Sequence, residues 1–305
     1  MNRFVLPLLL SACLLAPFEL AISAEEDPPQ VVVTHLRGPL HLLQGRGGNV
    51  VASVGRDGVL LVDDDYAQYA PAYRDALLGL VDSGLEPAFV LNTHWHGDHT
   101  GSNAFWAERG AVVMAHSNVR QRMSTRQEMK AMGRVVEPSP RVALPVVTFG
   151  DSQVVHFNDD DIEVQHYPRG HTDGDSVAFF SRENVLHVGD LLFKDAFPFV
   201  DIGSGGNVFG YIAAVEACLA RVDDNTIIVP GHGATVATRA DLAHYHRMLT
   251  ETSALVQSAL ERGETVDAVT ARGLGAQWES WDRGFIDEAR WISFIAASLP
   301  STRPE

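Results

Sequence analysis

Apolar residues in this chain fall into short blocks with the spacing of strands, separated and followed by stretches with the spacing of helices. Residues 31–43 and 50–62 are rich in Val and Leu and are broken by turn residues at 45–49 and 57–58, which predicts successive strands. Further strands are predicted over 89–91, 111–115, 146–149, 153–157, 162–167, 176–180, 184–188 and 226–229, and helices over 70–80, 103–109, 118–132, 209–221 and 239–261. Two blocks of strands, each followed by helices, indicate an α+β fold of stacked sheets with helices on their outer faces.

The N-terminal residues 1–24 have the pattern of a secretory signal peptide. Arg3 precedes an apolar stretch over 4–15, and small residues then lead into an acidic segment. This pattern predicts a secreted or periplasmic protein. An alternative is that Leu10-Ser11-Ala12-Cys13, which resembles a bacterial lipoprotein cleavage box, leaves a lipid anchor on Cys13 and a membrane-anchored lipoprotein.

Residues 25–305 are predicted to form a single domain, because neither an internal repeat nor a Gly/Ser-rich linker divides them. A content of 46% hydrophobic and 20% charged residues is typical of a globular protein. The 39 acidic residues outnumber the 23 basic ones, for a net charge of −16. We therefore expect no nucleic-acid partner, and no membrane contact beyond a possible anchor, since binding to phosphate groups depends on clustered Lys and Arg. The composition does not indicate an oligomeric state.

A dense group of candidate metal ligands follows the apolar run at 89–91. Within the segment 92–101, alternate residues of an extended chain point the same way, so that His94 and His96 can hold one metal ion. A turn at Gly97 would carry Asp98 and His99 towards a second one. Imidazole and carboxylate groups are suitable ligands for zinc, and core packing does not explain four of them within six residues.

Three later segments place a His or an Asp beside a Gly next to a predicted strand. They are 168–174 with His171, 189–193 with Asp190, and 230–233 with His232. Such positions suit ligands that are carried on loops at one end of a rigid sheet.

The ordered set His94-x-His96-x-Asp98-His99, followed by His171, Asp190 and His232, resembles the metallo-β-lactamase superfamily over about residues 31–246. The resemblance implies a four-layer αβ/βα sandwich with two mixed β-sheets and outer helices. It leaves a helical C-terminal extension over about 247–305.

The resemblance also implies a site with two Zn²⁺ ions per chain. His94, His96 and His171 are expected to bind one zinc, Asp98, His99 and His232 the other, and Asp190 to bridge them. Asp63, at the end of the strand over 59–62, is expected to lie just behind the ligands.

The chemistry of such a site is hydrolysis. Two zinc ions lower the pKa of a shared water and polarise the carbonyl that it attacks, so that neither Ser nor Cys is needed as nucleophile. Asp98 is the expected catalytic residue, because its carboxylate can orient that water and accept its proton. The sequence therefore predicts cleavage of an acyl bond in a small-molecule substrate.

The type of acyl bond is left open between several possibilities. Export suits an enzyme acting on a β-lactam, whose targets lie in the periplasm, and Lys194 and Asn207 occupy positions similar to those of substrate contacts in β-lactamases. Asp190, however, replaces the Cys ligand of the best-known secreted metallo-β-lactamases and resembles the Asp of lactonases and glyoxalase II-like thioesterases. We expect a cyclic amide or ester of the β-lactam or lactone type. The alternatives are a glyoxalase II-like thioesterase and a non-catalytic secreted metal-binding accessory protein.

A few other residues carry expectations of their own. His116 ends a predicted strand on what can be the side of the site, whereas Trp95 and Phe105 are expected to pack rather than to contact substrate. Cys218 is expected to be buried and inert. The acidic run 159–161 predicts a hairpin turn, since the regular alternation of a calcium loop is missing.

Overall fold

A computed structural model of the protein describes residues 30–80 and 86–300. The predicted signal peptide at 1–24 and the alternative anchor at Cys13 lie outside the described residues. Within the described part of the chain, none of the helices is long and apolar enough to cross a membrane.

The first sheet has seven strands in the order β1-β2-β3-β4-β5-β6-β9, antiparallel from β1 to β4 and parallel from β4 to β9. The strands are β1 (Val32–Arg37), β2 (Leu40–Gln44), β3 (Val50–Gly55), β4 (Gly58–Val62), β5 (Pro87–Leu91), β6 (Val112–His116) and β9 (Val147–Phe149). Because β4, β5 and β6 are parallel, their carboxyl ends meet at one edge of the sheet.

The second sheet has five strands in the order β10-β11-β12-β13-β14, with only the last pair parallel. They are β10 (Ser152–Phe157), β11 (Asp160–His166), β12 (Ser176–Phe180), β13 (Val185–His187) and β14 (Ile227–Val229). A separate antiparallel hairpin joins β7 (Gln127–Met129) to β8 (Arg134–Val136). We call residues 127–136 the β7–β8 hairpin.

The helices are α1 (Ala70–Leu78), α2 (Gly97–Thr100), α3 (Asn103–Ala107), α4 (Ser117–Met123), α5 (Val208–Arg221), α6 (Arg239–Glu261), α7 (Val266–Arg272) and α8 (Glu288–Ser298). Tyr73 of α1 and Trp106 of α3 pack on the outer face of the first sheet. Tyr211 of α5 and Trp291 of α8 belong to a cluster on the outer face of the second sheet. These helices therefore form the two outer layers.

The two sheets pack face to face through the alternating side chains of their strands. Leu60 and Val62 of β4 join Ala178 and Phe180 of β12 in one buried cluster. The intervening Leu61 points the other way, into the cluster under α1. The predicted αβ/βα sandwich with two mixed sheets is confirmed.

The sequence prediction of one helix over 118–132 is wrong. Helix α4 ends at Met123, and the chain then forms the β7–β8 hairpin. The side-chain amide of Gln127 donates hydrogen bonds to the carbonyls of Arg122 and Thr125, at 3.1 and 3.2 Å, and so satisfies backbone groups that a longer helix would have paired. Met123 and Met129 are both buried in the same cluster, so that the hairpin still packs against the core.

Residues 31–43 form two antiparallel strands, β1 and β2, with a turn at Gly38 and Pro39 that the sequence analysis did not predict. Other sequence predictions hold with small changes of boundary. The predicted turn at the acidic run is a hairpin turn between β10 and β11, and its residues Asn158 and Asp159 have φ angles of 51° and 63°. The C-terminal helical extension was expected to begin at about residue 247, but helix α6 continues without a break through that position. The extension therefore begins with α7.

Candidate metal centre

One strand and one short helix carry four of the predicted ligands. Strand β5 ends at Leu91, and residues 93–95 then form a bend, rather than the extended chain that the sequence predicted, which brings His94 and His96 to the site. The short helix α2 follows and carries Asp98 and His99. The turn is held from behind by Asn92, whose side-chain amide donates to the carbonyl of His99 at 3.0 Å.

The second sheet supplies the remaining three. His171 lies on the loop between β11 and β12, Asp190 in a single turn of 3₁₀-helix after β13, and His232 just after β14. Gly231 makes room for this arrangement, because a Cβ atom there would lie 2.1 Å from Oδ1 of Asp190. The site therefore forms where loops of both sheets meet at one edge of the sandwich.

His94, His96 and His171 converge through one ring nitrogen each. Nδ1 of His96 lies 3.1 Å from Nε2 of His94 and 2.9 Å from Nε2 of His171. All three side chains are buried. Together with Asp190 they form a group whose ligand atoms lie within 4.8 Å of one another.

Asp98, His99 and His232 form a second group of this kind. Oδ2 of Asp98 lies 3.2 Å from Nε2 of His232, and the two imidazoles approach each other at Nε2 to 3.4 Å. Asp98 is the more open of the carboxylates, with its side chain 20% exposed.

Asp190 divides its two carboxylate oxygens between the groups. Oδ1 lies 3.1 Å from Nε2 of His99 and 3.4 Å from Nε2 of His232. Oδ2 lies 3.4 Å from Nε2 of His171 and 3.8 Å from Nε2 of His94. Asp190 thus lies between the two groups, where the resemblance implies a bridging ligand.

In each of the three imidazoles of the first group, the outer ring nitrogen, which points away from the other rings, also has a polar neighbour. His96 Nε2 faces Oδ2 of Asp201 at 3.1 Å, and His171 Nδ1 donates to the carbonyl of Phe199 at 2.8 Å. His94 Nδ1 lies 3.1 Å from the hydroxyl of Thr93. Such contacts fix the ring orientation and leave the inner nitrogens as lone-pair donors.

Asp63 supports both groups of ligands. Its Oδ2 accepts a hydrogen bond from the Thr93 hydroxyl at 2.8 Å and lies 2.7 Å from Nδ1 of His99. The Asp63 side chain is fully buried, and the backbone at this residue has a φ angle of 63°. Its predicted place just behind the ligands agrees with the geometry.

Electrostatics at the site favour bound cations. Burial lowers the pKa of His171 to about 4, so that its ring is neutral and able to act as a ligand. Burial would also lower the pKa of His232, but the negative charge of Asp190 and the contact with the Asp98 carboxylate raise it to about 10. The carboxylates therefore create a potential that attracts either protons or metal ions.

The residues present fit a pair of metal ions. The inner nitrogens of His94, His96 and His171 face one another as lone-pair donors at hydrogen-bond distance, an arrangement that a cation between them stabilises. Within the described part of the chain, the buried Oδ1 of Asp190 has no hydrogen-bond partner. The donor set of imidazoles and carboxylates suits zinc.

The two groups open into a cavity of about 910 Å³. His96, Asp98, Asp190 and His232 form part of its wall. Trp95 also lines it, although the side chain is only 3% exposed, so that the predicted packing residue borders the site as well. A small molecule in this cavity can therefore reach the ligand cluster directly.

The two predicted substrate contacts differ in their surroundings. Lys194 lines the cavity, with its ammonium group 3.3 Å from Asp195 and 3.7 Å from Asp241. Asn207 does not line it. Its side chain caps α5 by accepting hydrogen bonds from the amides of Phe209 and Gly210, and it donates to the carbonyl of Ser298. The structure thus contradicts the prediction for Asn207, because its side-chain polar groups are engaged in helix capping.

Sequence reasoning missed several residues that surround the ligands. Asp201 and Phe199 stand in a segment without a recognisable motif, and only the folded chain brings them to His96 and His171. Asp175 also escaped notice. Its buried carboxylate accepts hydrogen bonds from the amide of Thr172 at 3.0 Å and holds the loop of His171, and burial raises the pKa of Asp175 to about 8.

The remaining sequence expectations lie away from the ligands. His116 stacks on His166 with ring centroids 3.6 Å apart and caps α4, so that it is not part of the metal cluster. Phe105 packs under the first sheet, as expected. Cys218 is buried in α5, and burial raises the pKa of its thiol to about 12.

Comparisons with known proteins point in the same direction. Residues 43–232 match the profile of the metallo-beta-lactamase superfamily. A hydroxyacylglutathione hydrolase from Polaromonas sp. is 31% identical over 150 residues, which cover 49% of this chain and 49% of that protein. The match thus spans about half the length of that relative.

Solved structures share the fold at low sequence identity. A metallo-beta-lactamase from Pontibacter korlensis has a TM-score of 0.59 and 16% identity, covering 72% of this chain and 99% of that one. A double mutant of the sec-alkyl sulfatase PisA1 has a TM-score of 0.67 and 15% identity, covering 87% of this chain and 49% of that one. At these identities the likeness shows the fold alone.

Proposed function

The chain belongs to the metallo-β-lactamase superfamily, and on this premise we propose that it is an exported dizinc hydrolase that cleaves an acyl bond in a small molecule. The observation that carries the proposal is the position of Asp190, whose two oxygens face two separate groups of ligands at the wall of an open cavity. A cyclic amide or ester is the proposed substrate class.

His94, His96 and His171 would hold one zinc ion, and Asp98, His99 and His232 the other, with Asp190 between them. When bound, such ions lower the pKa of a water molecule and polarise the carbonyl group that it attacks.

The protein's own groups prepare the site for that reaction. Asp63, Asp201 and the Phe199 carbonyl hold the imidazole rings in place, so that little reorganisation is needed as the reaction proceeds. Asp98 faces the cavity with one-fifth of its side chain exposed, so that its carboxylate can orient the attacking water and accept its proton. Lys194, at the wall of the same cavity, is a proposed contact for an anionic substrate group.

A second candidate is a thioesterase of the glyoxalase II type. It is supported by the relatives, several of which are named hydroxyacylglutathione hydrolases, and by Asp190 at the position where the sequence resembles them. Both candidates use the same ligands and differ in the leaving group.

Export and partners complete the proposal. We infer secretion or a periplasmic location from residues 1–24, with lipid anchoring at Cys13 as the alternative. The net charge of −16 supports a small-molecule substrate rather than a nucleic acid.

The test combines metal analysis with a panel of substrates. The purified protein is expected to contain two zinc ions per chain and to hydrolyse at least one of a cephalosporin, a carbapenem, a lactone and an acyl thioester. Preference for the thioester would favour the second candidate. A dizinc protein that cleaves only phosphodiesters, or none of these compounds, would contradict the acyl-hydrolase proposal.

A further inference from the structure

We propose that the cavity binds an elongated apolar acyl group of the substrate, between the β7–β8 hairpin and residues 283–286. This inference rests on the proposed acyl-bond hydrolysis and specifies the part of the substrate next to the cleaved bond.

Much of the wall on this side of the cavity is apolar and rich in methionine, although Arg122, Arg134 and Arg283 also line it. Met123, Met129 and Met132 line it from α4 and the β7–β8 hairpin, and Phe285 and Ile286 line it from the segment before α8. Methionine side chains are flexible and polarisable, so that they adapt to apolar groups of different shapes. A small polar substrate would leave this surface in contact with water.

Phe199 connects the apolar wall to the metal ligands. Its ring centroid lies 5.6 Å from that of His171 and 5.9 Å from that of His96. In the other direction it lies 6.1 Å from that of Phe285. One aromatic ring thus separates the reacting centre from the apolar wall, which places the chain of an acyl group along that wall when its carbonyl is at the metal cluster.

Phe285 is unusual among the large apolar side chains because 57% of its surface is exposed. It stands at the wall of the cavity, with the guanidinium group of Arg290 5.9 Å from its ring centroid. Exposure of an aromatic ring of this size is unfavourable, at roughly 25 cal/mol per Å² of apolar surface. An acyl chain lying against Phe285 would cover part of that surface.

The available volume suits a large group. The cavity of about 910 Å³ is near the upper end of the range for ligand sites, which is about 300–1,000 Å³. A smaller cavity of about 210 Å³ shares Met132, Phe199 and Ile286 with it and extends the same apolar surface towards Phe294. The combined space holds far more than an acetyl group.

The test measures how activity depends on chain length. Acetyl, butyryl, octanoyl and dodecanoyl esters of one phenol are assayed with the zinc-loaded protein. We expect kcat/KM for the octanoyl ester to exceed that for the acetyl ester at least about tenfold, since each buried methylene is worth up to about fourfold. Equal kcat/KM values across the series would overturn the inference.

Variants of the wall test its location. Phe285→Ala and Met132→Gln are expected to reduce the octanoyl-to-acetyl ratio about three- to tenfold, which is the effect of losing a few buried methylenes. Phe209→Ala is the matched control, because Phe209 is a half-buried residue of α5 that lines neither cavity. An equal reduction in Phe285→Ala and Phe209→Ala would contradict the assignment.

Binding measurements separate this inference from the proposed function. Dodecanoate is expected to bind at least about tenfold more tightly than butanoate by calorimetry, with the difference reduced in Phe285→Ala. If no acyl substrate is hydrolysed but this difference is found, the proposed function fails and the apolar site stands. If esters are hydrolysed but dodecanoate and butanoate bind equally, the apolar site fails and the proposed function stands.

Discussion

Oδ2 of Asp63 lies 2.7 Å from Nδ1 of His99, and both side chains are fully buried. The same oxygen accepts a hydrogen bond from Thr93, whose hydroxyl adjoins His94. One carboxylate behind the site therefore orients a member of each ligand group, and its loss is expected to disturb both.

Asp63→Asn is expected to weaken zinc binding about 10- to 100-fold, the range found when the outer partner of a ligating His is altered. Asn tolerates the positive φ of this position, so that the backbone can stay as it is. Zinc retained against a competing chelator is the measurement. Asp64→Asn is the control, because Asp64 is an equally buried neighbour that accepts a hydrogen bond from Ser102 instead. Equal zinc retention in both variants would show that Asp63 does not support the ligands.

His96→Ala and Asp98→Ala are each expected to reduce kcat at least about 10²-fold while the protein stays folded. Both side chains line the cavity rather than the core between the sheets, so that the sandwich does not depend on them. Activity is compared with the thermal unfolding midpoint of each variant. Asp161→Ala, which removes a 65% exposed carboxylate of β11 that does not line the cavity, serves as control. Near-normal turnover in either ligand variant would refute the assignment of the site.

Stability is expected to fall at acidic pH through His116. Burial and the neighbouring His166 lower the pKa of His116 from 6.5 to about 4, outweighing the attraction of Asp173 and Asp151. Between these two values the unfolded chain binds more protons, and the stability contributed by neutral His116 is lost as the pH falls through this window.

His116→Asn tests this expectation without removing the cap of α4, since Asn is a favourable N-cap residue. Between pH 7 and 5 the unfolding midpoint of the unaltered protein is expected to fall about 2–4 °C more than that of the variant. Parallel pH profiles of the two proteins would contradict a role for His116.

Cys218 is expected to resist alkylation in the native protein. Its thiol is buried in α5 and its pKa is raised to about 12, so that very little thiolate is present at neutral pH. Peptide mapping after iodoacetamide treatment is expected to find Cys218 unmodified in native protein and modified in denaturant. Rapid modification under native conditions would mean that α5 opens.

The two proposed processing routes leave different N-termini. Cleavage after Ser23 or Ala24 is expected to yield a chain without lipid, whereas lipoprotein processing would leave a lipidated Cys13. Mass spectrometry of protein recovered from the periplasm or membrane of an expressing bacterium measures this directly. A chain that retains residues 1–24 would contradict both.

Much of the candidate site was predictable because its residues stand beside strand ends with distinctive local spacing. The run from His94 to His99 predicts an extended segment followed by a turn at Gly97. The structure has the strand before this run and a change of direction at Gly97, where α2 begins, but residues 93–95 form a bend. His171, Asp190 and His232 were also predicted, and the folded chain brings them to the same edge. Their binding of zinc remains a proposal.

The sequence by itself determined the two sheets, their covering helices and the order of the ligand segments, because alternation and turn residues are local properties. Only the tertiary structure decided that 127–136 forms a hairpin, that Asn207 caps a helix, and that Asp201 and Phe199 stand behind the imidazole rings. The positions of Asp201 and Phe199 depend on contacts between residues far apart in the chain, and the hairpin is held by packing Met129 into the buried cluster that includes residues of α5 and α8. The apolar wall of the cavity also depends on the tertiary structure, because Met129 and Phe285 are separated by more than half of the domain and meet only across the cavity.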